Sequence, residues 1–199
     1  MEDTYKTIAK PSEGLFKDKG SKFISYAFPV NTEIEIRNII QTIKKEHHSA
    51  RHHCFAWLLG HKKLQFRVND DGEPSSTAGK PILGQIQIFG LTNILIVVVR
   101  YFGGTLLGTN GLINAYRNAA ADAISKAEIA EKLIEQLLLL EFDYGSMNQV
   151  MKVFKDEKLP QFDPQFDMIC QVKTQIRLSE LIRIEDILRK VEGLQISHI

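Results

Sequence analysis

An α+β protein in two tightly joined parts, residues 1–134 and 135–199, is what the sequence predicts, and three observations carry it. The length of 199 residues suits one large domain or two small ones. Apolar periodicity switches between strand spacing and helix spacing in both parts. Charge is divided unevenly: residues 1–134 hold 17 Lys+Arg against 13 Asp+Glu, a net of +4, and residues 135–199 hold 8 against 11, a net of −3. The chain total of 25 against 24 therefore averages two opposed surfaces. A polar stretch from Ser125 through Glu135 marks the division, with no Pro- or Gly-rich linker.

The first part opens with a strand-like run, Ser21–Val30. Thr32-x-x-Glu35 is a capping box, and Ile36, Ile39, Ile40 and Ile43 follow on one helical face. His53–Leu59 and Leu64–Asn69 read as paired strands joined by the turn Gly60–Lys63. A polar loop, Asp70–Gly79, leads to a short helix with Pro81 in its first turn and Gly90 after its end. Asn93–Val99 is β-branched and predicts a buried strand. After a loop at Gly103–Gly108, Thr109 or Asn110 is positioned to cap an alanine-rich helix running to about Lys126.

In the second part, Leu137–Phe142 is continuously apolar, as in a strand buried on both faces. Ser146-x-x-Gln149 has capping-box spacing ahead of Met147, Val150, Met151 and Phe154. A weaker strand is expected at Gln161–Phe166. From Met168 to Leu178, apolar and polar residues alternate, predicting a strand with one wet face. Ser179 and Glu180 open a helix carrying Leu181, Ile184, Leu188 and Val191, which Gly193 stops before a last strand, Leu194–Ile199. The order β-α-β-β-α-β is the ferredoxin-like plan.

Composition narrows the classes. With 44% hydrophobic residues, the chain is neither disordered nor collagen-like. A total charge of +1 argues against a polybasic binder. The start, Met1-Glu2-Asp3-Thr4-Tyr5, lacks the basic and apolar segments of a signal peptide. The apolar runs Ile94–Val99 and Leu137–Leu140 are far shorter than a bilayer span. Cys54 and Cys170 form no CxxC pair and read as reduced core residues of a cytoplasmic protein.

Three constellations offer chemistry. His47-His48-Ser49-Ala50-Arg51-His52-His53-Cys54 has the donor types of a zinc site. In a strand, however, His52 and His53 point to opposite faces, so no metal site is assigned and hydrogen-bonded structural histidines are the alternative. Asp70-Asp71-Gly72-Glu73-Pro74-Ser75-Ser76-Thr77-Ala78-Gly79-Lys80-Pro81 fails as a P-loop in its glycine spacing, and Pro81 stands where Ser or Thr would hold magnesium. Its hydroxyls, helix-start N–H groups and Lys80 still make an anion cradle conceivable. Its carboxylates equally suit turn capping or pairing with Arg51 or Arg100. The third, Arg100-Tyr101-Phe102-Gly103-Gly104-Thr105-Leu106-Leu107-Gly108-Thr109-Asn110-Gly111, lacks the dinucleotide fingerprint. Gly103-Gly104 permit positive φ, a close backbone approach or simply a sharp turn. Arg100, following an apolar strand, needs a partner, either an acid of the neighbouring loop or an external anion. No nucleophile–base motif is visible.

These motifs, Ala50-Arg51-His52-His53-Cys54, Asp70–Ser75 with Thr77–Pro81, and Val99–Gly104 with Leu107-Gly108, resemble the signatures of the IMPACT/YigZ family over residues 15–125. Ser76 departs from the glycine of many members. The resemblance implies a first domain like the second domain of ribosomal protein S5, and a ferredoxin-like second domain like the C-terminal domain of elongation factor G. It also implies a translation-associated regulatory role, through RNA, the ribosome or a protein partner, without catalysis and without a cofactor. Arg51, His52, His53, Asp71, Glu73, Ser75, Ser76, Thr77, Lys80, Arg100, Tyr101, Gly103, Gly104 and Gly108 are the expected binding residues. Arg51, Lys80, Arg100 and the two helix starts are the expected phosphate contacts. The alternatives are an enzyme acting on a small anionic ligand, with Asp71, Glu73, His52 or His53 as acid/base groups, and a purely protein-binding regulator.

Overall fold

A computed structural model describes residues 3–199; Met1 and Glu2, which belong to the segment read for signal-peptide features, lie outside the described residues. The chain is α+β and divides into two compact units. One comprises Tyr5–Lys132, and the other comprises Leu133–Ile199 together with Asp3 and Thr4. Asp3 and Thr4 thus group with the later part of the chain, an association that no local sequence pattern announces.

In the first unit, β2 (Ser12–Asp18), β3 (Ser21–Pro29), β4 (His52–Leu59), β5 (Gln65–Asn69) and β6 (Ile94–Tyr101) form an antiparallel sheet in the order β2-β3-β6-β4-β5. β1 (Thr4–Ile8) and β7 (Ile129–Leu133) pair separately as a two-stranded sheet. The expected strand pair, the buried β6 and the strand β3 are all present. β1, β2 and β7 occupy stretches the sequence left unassigned. β2 is a sheet edge interrupted by Gly14, and β7 is almost wholly exposed, so neither shows apolar alternation.

Side-chain parity assigns the two faces of the five-stranded sheet. Phe23, Ala27, Cys54, Ala56, Ile96 and Val98 point to one side, where α2 (Gly79–Ile88) and α3 (Gly108–Ser125) cover them. Phe55, Trp57, Leu95, Val97 and Val99 point to the other, where Ile36 and Ile43 of α1 (Glu33–Glu46) join them. Burial of a large aliphatic or aromatic side chain contributes roughly 1.5–3 kcal/mol, so both layers hold the sheet. The α1 capping box forms as expected, with Thr32 and Glu35 bonding each other's backbone N–H. α3 corrects its expectation: it begins at Gly108, its N-cap residue is Leu107, and neither Thr109 nor Asn110 caps it.

The second unit contains β8 (Glu135–Asp143), α4 (Met147–Asp156), β9 (Phe162–Phe166), β10 (Ile169–Arg177), α5 (Leu181–Leu188) and β11 (Gln195–His198). Its antiparallel order β11-β8-β10-β9 is that of a ferredoxin-like βαββαβ sheet. Two local readings change. β8 is not buried on both faces: Leu138, Leu140 and Phe142 enter the core, while Leu137 and Leu139 are half-buried. Ser146 does not cap α4 with its side chain; its hydroxyl donates to the Glu192 carbonyl, and the Asp143 carboxylate accepts the Ser146 N–H. Both cysteines are buried and free. Among the described residues, no helix is long and apolar enough to cross a membrane.

Candidate functional site

Three chain segments meet at the helix-covered face of the first unit and enclose a pocket of about 480 Å³. Arg51 and His52 enter from the start of β4, Glu73 and Pro74 from the β5–α2 loop, and Arg100 from the end of β6. Phe102, Leu106, Leu107, Gly108 and Thr109 enter from the β6–α3 loop and the first turn of α3, and Leu112 from the next turn. Antiparallel register sets His52 opposite Arg100, and Phe23 opposite Arg100 on the other side. These side chains share one sheet face because parity leaves them no other arrangement.

Of the two partners open to Arg100, an acid of the neighbouring loop or an external anion, the structure supplies the acid. Arg100 Nη1 donates to Glu73 Oε1 at 2.7 Å, and both side chains are buried. The Tyr116 hydroxyl donates to the same oxygen at 2.8 Å, and the Cys54 thiol donates to the Tyr116 oxygen. The Arg100 guanidinium also lies over the Phe23 and Phe102 rings, at 5.4 and 5.7 Å from their centroids. A buried ion pair with further hydrogen bonds holds its geometry, and removing one partner is costly. Burial pushes the Cys54 thiol and the Tyr116 hydroxyl well above their ordinary values, so neither supplies an anionic nucleophile here.

Asp71 ties the loop to the other side of the sheet. It accepts from the His53 backbone N–H at 2.8 Å and from Lys44 at 3.1 Å. Burial alone would raise its carboxyl, but those two donors outweigh it and hold it below its ordinary value. His52 Nδ1 lies 2.9 Å from the Asp71 carbonyl oxygen, which can only accept, so that nitrogen carries the proton. His53 faces α1 and donates from Nε2 to the His47 carbonyl. Burial holds its imidazole below its ordinary value, so at neutral pH its 3.6 Å approach to Asp71 is not an ion pair. Tyr101 lies on that same face, its hydroxyl 2.8 Å from His47 Nδ1. His52 and His53 thus diverge, and among the described residues no group of three or more His, Cys, Asp or Glu is placed to hold a metal.

The start of α2 corrects the anion-cradle reading. Asp70, within the quoted motif but outside the expected site, accepts from the N–H groups of Ser76, Ala78 and Gly79 at 2.8–3.0 Å. The chain's own carboxylate fills that helix start. Thr77 turns its hydroxyl to the Pro74 carbonyl. Ser75 and Lys80 are exposed and do not line the pocket. Ser76 sits at φ +66, a left-handed conformation that suits glycine better. Gly103 permits a close backbone approach: a Cβ there would lie 1.8 Å from the Gly20 carbonyl carbon. Gly104 adopts φ +87 in the same turn.

Of the expected residues, then, the pocket gathers Arg51, His52, Glu73, Arg100 and Gly108. Asp71 sits behind it, His53 and Tyr101 lie on the opposite face, and the remainder shape the loops. Sequence reasoning missed the apolar walls, Phe102, Leu106 and Leu112, and the buried Tyr116. Only the helical spacing of Leu112, Ala115, Tyr116 and Ala119 hinted at the last.

Known proteins resemble this chain. The family model for the Impact N-terminal domain matches residues 19–124. An IMPACT family member of Haemophilus influenzae is 42% identical over 137 residues, covering 68% of this chain and 66% of that protein. The IMPACT family member YvyE of Bacillus subtilis is 33% identical over 158 residues, covering 79% of this chain and 73% of that protein. A crystal structure of a hypothetical protein superposes with a TM-score of 0.77 at 27% identity, covering 100% of this chain and 98% of that one. The motifs that surround the pocket are thus carried by a chain that belongs to the IMPACT family.

Proposed function

We propose that the protein is a translation-associated regulatory binding protein of the cytoplasm, and that the pocket face of the first unit is its recognition surface. The observation that carries this reading is the pocket rim: Phe102 and Leu106 are 54% and 84% exposed beside a rigid Arg100–Glu73 pair. Exposed apolar side chains flanking a concave site are the chemistry of macromolecular recognition. The resemblance of the first domain to the second domain of ribosomal protein S5, and of the second to the C-terminal domain of elongation factor G, belongs to the same reading.

A protein component of the translation machinery fits better than RNA phosphates. Two of the expected phosphate contacts are already committed, Arg100 to Glu73 and the α2 start to Asp70. The test is co-sedimentation with ribosomal particles and translation factors, with and without nuclease and across a salt series. Association that survives nuclease and is lost in the Phe102→Ala/Leu106→Ser double variant is the expected result. Association abolished by nuclease, or indifferent to the double variant, overturns it.

A further inference from the structure

The pocket combines an apolar wall with one corner rich in hydrogen-bond donors. That corner is the start of α3. Its N-cap residue, Leu107, has helical φ and ψ and provides no side-chain cap, and Gly108 and Thr109 line the pocket directly. The first N–H groups of a helix have no acceptor within the helix and carry a partial positive charge.

The charges that line the pocket point the same way. Arg100 is 6% exposed and lines this pocket, where its Nη1 is paired with Glu73. Glu73 Oε1 accepts from both Arg100 and Tyr116, so its charge is already engaged. Arg51 stands exposed at the wall and takes part in no ion pair among the described residues. Two guanidinium groups and one carboxylate leave the pocket positive by one charge. That balance suits a monoanion better than a dianionic phosphate. Asp70, bonded to the start of α2, shows this fold using a carboxylate at the neighbouring helix start.

We infer that the pocket binds a carboxylate carried on an apolar body, with the carboxylate at the α3 start beside Arg51 and the apolar part against Phe102, Leu106 and Leu112. Resting on the reading proposed above, the occupant is a segment of the protein partner in which an aliphatic or aromatic residue adjoins a carboxylate. The volume, about 480 Å³, lies within the range of pockets that enclose small ligands, and it accepts such a side-chain pair.

Titration of the full chain with hexanoate, hexan-1-ol, acetate and inorganic phosphate, followed by backbone amide NMR shifts, tests the chemistry. Hexanoate is expected to shift the Gly108–Asn110 amides and to bind about ten-fold tighter than the other three, equivalent to about 1.4 kcal/mol. Arg51→Ala is expected to weaken hexanoate several-fold and leave hexan-1-ol unchanged. Equal binding of hexan-1-ol means an apolar pocket only, equal binding of acetate or phosphate means a bare anion site, and either overturns the inference, as does no binding at all. The occupant is tested by competition: hexanoate, and not hexan-1-ol, should release the co-sedimenting protein. Hexanoate binding without release confines the site to small free carboxylates and overturns the partner assignment. That outcome leaves the translation reading standing, because its own test is the Phe102→Ala/Leu106→Ser variant.

Discussion

The β5–α2 and β6–α3 junctions are built from similar parts and end in opposite states. Each runs from a strand of the same sheet through a glycine-bearing loop into a helix on the same face. At the first, Asp70 turns back and bonds three N–H groups, so the helix start is satisfied from within. At the second, Leu107 offers no such group, and the start of α3 opens into a pocket. Glycine content does not separate them. A carboxylate at the right distance does, because it alone supplies the acceptor and the negative charge a helix start favours. A closed junction is a stability element, whereas an open one retains capacity for a ligand.

The sharpest way to break this comparison is to remove Glu73, which holds the wall shared by the two junctions. Glu73→Ala leaves Arg100 buried without a counter-charge and is expected to cost about 3–5 kcal/mol in chemical unfolding. The Glu73→Leu/Arg100→Met pair should recover most of that loss. If the pair is as unstable as the single variant, the buried ion pair is not the cause. Asp70→Ala opens the closed junction and is expected to cost about 2 kcal/mol, read by the same unfolding curves. An unchanged midpoint would mean that water satisfies the α2 start as well as Asp70 does.

Acid sharpens the comparison from the side of the loop anchor. His53 has a folded pKa below its ordinary 6.5, so the unfolded chain takes up that proton first as pH falls. Stability is therefore expected to decline below about pH 6.5. Asp71 is shifted downward, so its contribution is present above its ordinary 3.8 and is lost as pH falls through its lower folded value. Thermal unfolding of His53→Gln should show a flatter loss between pH 7 and 5, with the acid limb near pH 4 retained. An identical slope would exonerate His53. The smallest effect is Ser76→Gly, which relieves a left-handed serine and is expected to add up to about 1 kcal/mol. A lower midpoint would show that the backbone freedom gained by the unfolded chain outweighs the strain removed.

Legibility followed the range of the interaction. The Thr32–Glu35 capping box was readable because its donors and acceptors lie within one helical turn. The opposite orientations of His52 and His53 were readable because strand parity is a local property. Ser146 misled for the converse reason: its capping spacing was present, but the Glu192 carbonyl, 46 residues away, took the hydroxyl. β1, β2 and β7 were hidden because edge and exposed strands need no apolar alternation. Tyr116 was hidden because its acceptor, Glu73, lies 43 residues earlier in the chain.

By itself the sequence determined most of the element types and the need of Arg100 for a partner. Each follows from periodicity, local capping or the cost of burying a charge. Only the tertiary structure decided which carboxylate met which donor. Asp70 and Glu73 stand three residues apart in one polar loop, and nothing local distinguishes them. Their separate fates depend on where β5 delivers the loop: Asp70 over the start of α2, and Glu73 beneath the pocket, within reach of Arg100.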